Sequence, residues 1–188
     1  LIMRFFLPMP ALNILDKLSS AGFQAYVVGG AVRDLIQGIK VGDWDFTTDA
    51  VPEEIMRLFP GSFYDNKFGT VGIPIKVQSS GGEDKESERY EVYEITTFRK
   101  EQGYSDRRRP DKVEWGKSLE EDLSRRDFTI NAIALKTSPS LRASPSDGRS
   151  VAISCSMIDP FGGRKDLENK LIRAVGQASD RFNEDALR

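Results

Sequence analysis

The sequence predicts an α/β domain, and three observations carry that expectation. Short β-rich runs alternate along the chain with helix-periodic segments. Glycine or proline stands at most of the boundaries between them. The 188 residues, 39% hydrophobic and 30% charged, have the size and balance of one globular domain with a buried core.

The elements follow in order. Pro10 opens a helix where its missing N–H costs little, and Leu12, Ile14, Leu15 and Leu18 recur at helical spacing until Gly22. Ala25–Val28 reads as a buried strand; Gly29 and Gly30 break it, and 31–37 is a short helix stopped by Gly38. A second strand covers 43–48, and Pro52 begins a helix to about Phe59. Residues 71–77 and Arg89–Thr97 are β-rich, and the polar run 79–88 between them lacks core-forming content. Residues 99–117 are charged and irregular. Ser118 followed by Glu121 is a capping-box signature for a helix to about Arg126. Residues 128–135 fit either strand or helix; strand is preferred because a polar stretch, 137–150, and then Val151–Ile158 supply a hairpin partner. Residues 166–171 read as helical and 172–175 as extended, and a last helix starts near Ser179. There are no internal repeats.

The most informative count is zero: the chain has no histidine. That excludes Ser–His and Cys–His catalytic pairs, His-ligated zinc and a His general base. Cys155 stands alone, so there is no disulfide framework or thiolate cluster, and a reducing, cytoplasmic setting is expected. A metal, if present, must be held by oxygen, which favours Mg²⁺, Mn²⁺ or Ca²⁺. No apolar run approaches the roughly 18 residues of a membrane span, so no membrane partner is expected. The apolar start is short and interrupted by Pro8 and Pro10, and reads as an N-terminal arm rather than a signal peptide. Lys+Arg 27 against Asp+Glu 29 gives a net charge of -2, which argues against bulk attraction to nucleic acid while leaving room for a local basic face.

Two clusters carry candidate chemistry. In a strand, Asp43 and Asp45 of Asp43-Trp44-Asp45 point to one side, and two adjacent carboxylates repel unless a cation lies between them. Two solvated acids on an edge strand would read the same way. Gly29-Gly30-Ala31-Val32-Arg33 puts a glycine pair and a helix start where backbone N–H groups can meet a phosphate, with Arg33 on the first turn as a clamp. A tight turn with Arg33 in a surface ion pair is the alternative. Neither a Walker A loop nor a dinucleotide fingerprint is present.

The spacing joins the two clusters. A glycine turn, one short helix and a D-x-D strand, in the run from Val28 to Ala50, resemble the first motif of the tRNA nucleotidyltransferase and bacterial poly(A) polymerase family, the class II CCA-adding enzymes. Leu123-Ser124-Arg125-Arg126-Asp127-Phe128-Thr129-Ile130-Asn131-Ala132 resembles its second motif. Asp159-Pro160-Phe161-Gly162-Gly163 with Asp166-Leu167 resembles the third, and Glu184-Asp185-Ala186-Leu187-Arg188 the opening of the base-reading motif.

The resemblance implies a DNA polymerase β-like head with a mixed, mostly antiparallel sheet backed by helices, plus the start of a helical neck. Residues 1–22 would be an N-terminal arm and helix, 23–160 the head, and 161–188 the connector and first neck helix. It implies template-independent transfer of CMP and AMP from CTP and ATP to tRNA 3′ ends, with pyrophosphate leaving, or poly(A) synthesis by the same machinery. A non-catalytic nucleotide- or RNA-binding module is the alternative from another class. Asp43 and Asp45 would hold two Mg²⁺ (Mn²⁺ as substitute), with Glu94 a possible third carboxylate. Gly29, Gly30, Arg33 and Arg126 would position the nucleotide, and Asp127 would orient Arg126 or cap the next segment. Asp185 and Arg188, three apart on one helix face, would read the Watson–Crick edge of cytosine and adenine, whose exocyclic amines a carboxylate accepts. The loop 98–110 resembles the family's flexible loop, and its length points to CCA or CC addition. The chain begins with Leu1 and stops inside a helix at Arg188, and reads as a fragment of a longer protein.

Overall fold

The computed structural model describes residues 2–66, 69–77, 89–102, 112–116, 118–138 and 150–184. In chain order the elements are β1 (Ile2–Leu7), α1 (Met9–Ser20), β2 (Ala25–Val28), α2 (Gly29–Gln37), β3 (Asp45–Thr48), α3 (Pro52–Leu58), β4 (Phe63–Asn66), β5 (Thr70–Val77), β6 (Arg89–Thr97), β7 (Arg99–Gln102) and β8 (Lys112–Trp115). They continue with α4 (Leu119–Ser124), a 3-10 turn (Thr129–Asn131), β9 (Ala134–Thr137), β10 (Val151–Ile158), α5 (Gly163–Glu168) and α6 (Ala178–Glu184).

Eight strands form one sheet in the order β1-β10-β9-β2-β3-β6-β5-β4. Every pairing in it is antiparallel except β3 with β6. The sheet is therefore mixed and mostly antiparallel, with helices against it. β2 shows why the centre is stable. Ala25 and Val27 face one core, with Leu15, Leu18, Ile55 and Phe46, whereas Tyr26 and Val28 face the other, with Phe98, Leu119, Leu123 and Val175. A strand buried on both sides reads as a continuous apolar run, and Ala-Tyr-Val-Val is one.

Several elements depart from the sequence reading. The expected N-terminal arm is β1, an edge strand pairing Ile2 to Leu7 with Ser156 to Val151 of β10 and burying Phe5 and Leu7. Its alternation of inward and outward side chains was hidden by the signal-like run of apolar residues. α2 starts at Gly29, not Ala31, because the glycines enter the first turn. β3 starts at Asp45, and Asp43 lies in the bend before it. In 128–135 only the end is strand: Phe128 makes an isolated bridge to Ala174, a 3-10 turn follows, and β9 then pairs with β10. The expected hairpin exists, shifted toward the C-terminus. Residues expected to be irregular after Phe98 form the β7–β8 ribbon. Extended 172–175 is reduced to the bridge at Ala174, and the helix expected over 166–171 starts earlier, at Gly163. The polar run 79–88 and most of the loop 98–110 lie outside the described residues.

Candidate active site

The site is built where β2 turns into α2. The turn needs glycine: Gly29 takes φ +69°, a left-handed conformation that side chains with a Cβ resist. The space beside it is also claimed. A Cβ on Gly29 would stand 3.1 Å from Arg126 Nη1 and 3.2 Å from Asp45 Oδ2. Gly29, Asp45 and Arg126, separated widely in sequence, thus meet at one point. The N-cap residue Val28 offers no side-chain cap, and the first backbone N–H groups of a helix lack partners within it, the place where an anion can sit.

Packing aims the acids. Trp44 is buried and stacks on Phe46 and Tyr93 in the core. Its anchoring sends Asp45 to the other side of β3, while Asp43 is exposed at the strand entrance. Burial lifts the Asp45 carboxyl above the ordinary carboxylate value; Arg126 opposes the shift and the charge on Asp43 adds to it. The Asp43 carboxylate is near enough for its charge to act on Asp45, the kind of acid pair that a divalent cation can neutralise. Glu94 is in register with Asp45 across the parallel β3–β6 pair, and its backbone N–H donates to Trp44 O at 3.0 Å. Residues in register share a face, so Glu94 is on the side of Asp45, although no three acidic or thiol side chains among the described residues cluster as a metal centre. A pair of carboxylates suits Mg²⁺, which keeps several waters and takes its other ligands from substrate phosphates.

The arginines come from two elements. Arg33, the fifth residue of α2, donates through Nε to Asp34 Oδ1 at 2.9 Å and through Nη1 to Asn131 Oδ1 at 3.2 Å. Arg126 follows α4, whose start is fixed by Ser118: its Oγ accepts from Glu121 N at 3.2 Å. Arg126 Nη2 donates to Asp122 Oδ2 at 3.3 Å, and its Nε is buried with no hydrogen-bond partner. Asp127 does not reach for Arg126. Its Oδ1 accepts from Phe128 N at 2.7 Å and from Asn131 Nδ2 at 3.4 Å, closing the turn that follows.

Sequence reasoning missed Asp122 and Asn131 as members of this network. Asp122 is fully buried and takes both Arg125 and Arg126, at the i,i+3 and i,i+4 spacings that a helix brings together. That spacing was visible; the burial was not. Asn131, a residue of the second motif, links Asp127 to Arg33, and nothing local marks that partner 98 residues away.

The third motif braces the second. Asp159 accepts from the backbone N–H groups of Gly163 and Arg164 at 2.8 and 3.0 Å and so holds the start of α5. A Cβ on Gly163 would collide with the Thr129 carbonyl. The Thr129 hydroxyl donates to Asp166 Oδ2 at 2.7 Å, and it and Arg173 hold the Asp166 carboxyl below its ordinary value. From α6, Arg181 donates to Ser124 O at 2.9 Å, tying that helix to the end of α4. Asp185 and Arg188 lie outside the described residues.

Comparison with known proteins agrees with this architecture. Residues 25–173 match the model of the poly A polymerase head domain. The CCA-adding enzyme of Geobacillus kaustophilus is 45% identical over 179 residues, covering 95% of this chain and 37% of that protein. That of Listeria monocytogenes strain EGD-e is 43% identical over 180 residues, 96% of this chain and 39% of that one. The chain therefore spans well under half the length of these curated relatives. The crystal structure of the Bacillus stearothermophilus CCA-adding enzyme in complex with CTP superimposes with a TM-score of 0.68 at 39% identity, covering 94% of this chain and 35% of that one. A Thermotoga maritima CCA-adding enzyme complexed with tRNA superimposes at 0.57 with 25% identity, covering 98% and 39%. With a matched span that includes the glycine turn, both aspartates, Arg126 and the third motif, the chain belongs to the poly A polymerase head domain family.

Proposed function

We propose that this chain is the catalytic head of a tRNA nucleotidyltransferase that adds CMP and AMP to tRNA 3′ ends. The observation that carries the reading is the meeting of Asp45, Arg126 and the start of α2 around Gly29. Similarity to CCA-adding enzymes, including those in complex with CTP and with tRNA, supports the choice of substrates. The head is assigned to 23–160, preceded by 1–22 and followed by the connector and first neck helix at 161–188. No helix among the described residues is long and apolar enough to cross a membrane, and we place the work in the cytoplasm.

Family members are metal-dependent nucleotidyltransferases. Asp43 and Asp45 are the residues that would hold divalent cations, Mg²⁺ or Mn²⁺, with Glu94 as a third oxygen donor. When bound, the ions supply charge neutralisation for in-line attack of a terminal 3′-hydroxyl on the α-phosphorus as pyrophosphate leaves. The chain's own groups do the positioning. Backbone N–H groups at Gly29 and Gly30 and the guanidinium of Arg33 receive phosphate oxygens. Arg126, whose Nη1 stands beside Gly29, receives a further oxygen of the nucleotide. Asp185 and Arg188 read the base. No side chain acts as a strong base, in keeping with the absence of histidine.

Supplying CTP alone with a tRNA lacking its terminal CCA tests the assignment. Incorporation of C with release of pyrophosphate is expected. Use of ATP without any use of CTP would overturn it in favour of a poly(A) polymerase of the same family. Binding of nucleotide with no pyrophosphate from either substrate would favour a binding module.

A further inference from the structure

We propose that Asp122 is a positioning residue that holds Arg126 off Asp45, so that the Asp45 carboxylate stays available to a cation. The inference rests on the reading of Asp43 and Asp45 as the cation seat. Arg126 has two carboxylates within reach. Its Nη1 and Asp45 Oδ2 flank the same point beside Gly29. A guanidinium released from Asp122 would pair with Asp45 and occupy the lone pairs that a cation needs.

Asp122 prevents this. Its side chain has 0% exposure, so it cannot be satisfied by water. Oδ1 accepts from Arg125 Nε at 3.0 Å and Nη2 at 2.8 Å. Oδ2 accepts from Arg126 Nη2 at 3.3 Å and lies 3.3 Å from the Thr47 hydroxyl, which also lies 3.2 Å from Thr96 O. Thr47 is two residues along β3 from Asp45 and on the same face. The carboxylate that restrains the arginine is thus referenced to the strand that carries the acid. Arg126 is held through Nη2, and its Nη1 stands beside Gly29.

The test is Mn²⁺ binding to the chain, followed by the electron paramagnetic resonance of the free ion, without RNA or nucleotide. Asp122→Asn releases Arg126 onto Asp45 and is expected to weaken Mn²⁺ binding by roughly tenfold. Removing the arginine in that background, D122N/R126A, is expected to restore native affinity, because nothing remains to occupy Asp45. A purely structural role for Asp122 predicts no such rescue. Thr47→Val keeps every charge and covers the case in which D122N does not fold. It is expected to weaken binding by roughly threefold, again reversed by R126A. Native affinity in D122N or T47V with folded far-ultraviolet circular dichroism, or loss that R126A does not reverse, overturns the proposal while leaving the cation seat intact. Absence of Mn²⁺ binding to the native chain overturns the seat itself, and the proposal with it.

Discussion

At the scale of single residues, Gly29 and Asp45 carry the most weight. Gly29→Ala forces a Cβ into a left-handed backbone, at a cost of about 1–2 kcal/mol, and into the gap that Arg126 Nη1 and Asp45 Oδ2 already share. The expected result is a chain that melts lower and binds CTP much more weakly, read by thermal denaturation and by titration calorimetry. Asp45 behaves in the opposite sense. Burial raises its folded pKa, so its contribution to stability is full where it is protonated and is lost as pH rises through the folded value. At pH 7, with no divalent cation present, the ionised acid therefore opposes folding. Asp45→Asn is expected to melt about 2–4 °C above the native chain there, to lose that advantage as pH falls through the carboxylate range, and to lose nucleotide transfer. The D-x-D spacing is a local pattern and so was legible, whereas the place of Asp43 in a bend ahead of the strand was not. The reason for the orientation of Asp45, the burial of its neighbour Trp44, is a property of the assembled core.

At the scale of elements, α4 has to deliver Arg126 accurately. It is only six residues long, so hydrogen bonds within the helix contribute little and packing must hold it. Leu123 and Leu119 provide that, buried against Tyr26, Val28 and Phe98 on the outer side of the sheet. Leu123→Ala is expected to cost about 2–5 kcal/mol and to weaken CTP binding more than a truncation of similar size on the α1 face, such as Leu15→Ala; equal losses in binding would contradict the delivery role of α4. The Ser118 cap of this helix was readable because capping chemistry is local. The segment 128–135 was not readable, because Phe128 and Thr129 take their backbone partners from Ala174 and Arg173, far along the chain. The β7–β8 ribbon was missed for a related reason: its charged residues, lacking apolar alternation, resemble a solvated loop until the two strands are paired.

At the scale of the whole molecule, the sheet joins the start of the chain to the site. β1 closes one edge by pairing with β10, which pairs with β9, which borders β2. Phe5 and Leu7 of β1 are buried, and covering each is worth about 1.5–3 kcal/mol. A chain lacking residues 1–8 is therefore expected to melt lower and to exchange the amide hydrogens of β10 rapidly, whereas exchange in β2 and β3 should change much less. The site's order along the chain was legible as three motifs. The parallel β3–β6 pairing that puts Glu94 in register with Asp45 was not, since β4 and β5 intervene and no local pattern encodes a parallel neighbour.

The central claim is that Asp43 and Asp45 share one cation-and-triphosphate cradle with the glycine turn. Titration of CTP into the chain with and without Mg²⁺, for the native sequence and for Asp45→Asn, tests it most directly. Mg²⁺ should tighten CTP binding to the native chain by at least roughly tenfold and leave Asp45→Asn unchanged, the effect of a metal bridging carboxylate and phosphate. CTP affinity indifferent to Mg²⁺ in the native chain, or an equal Mg²⁺ response in Asp45→Asn, would contradict it.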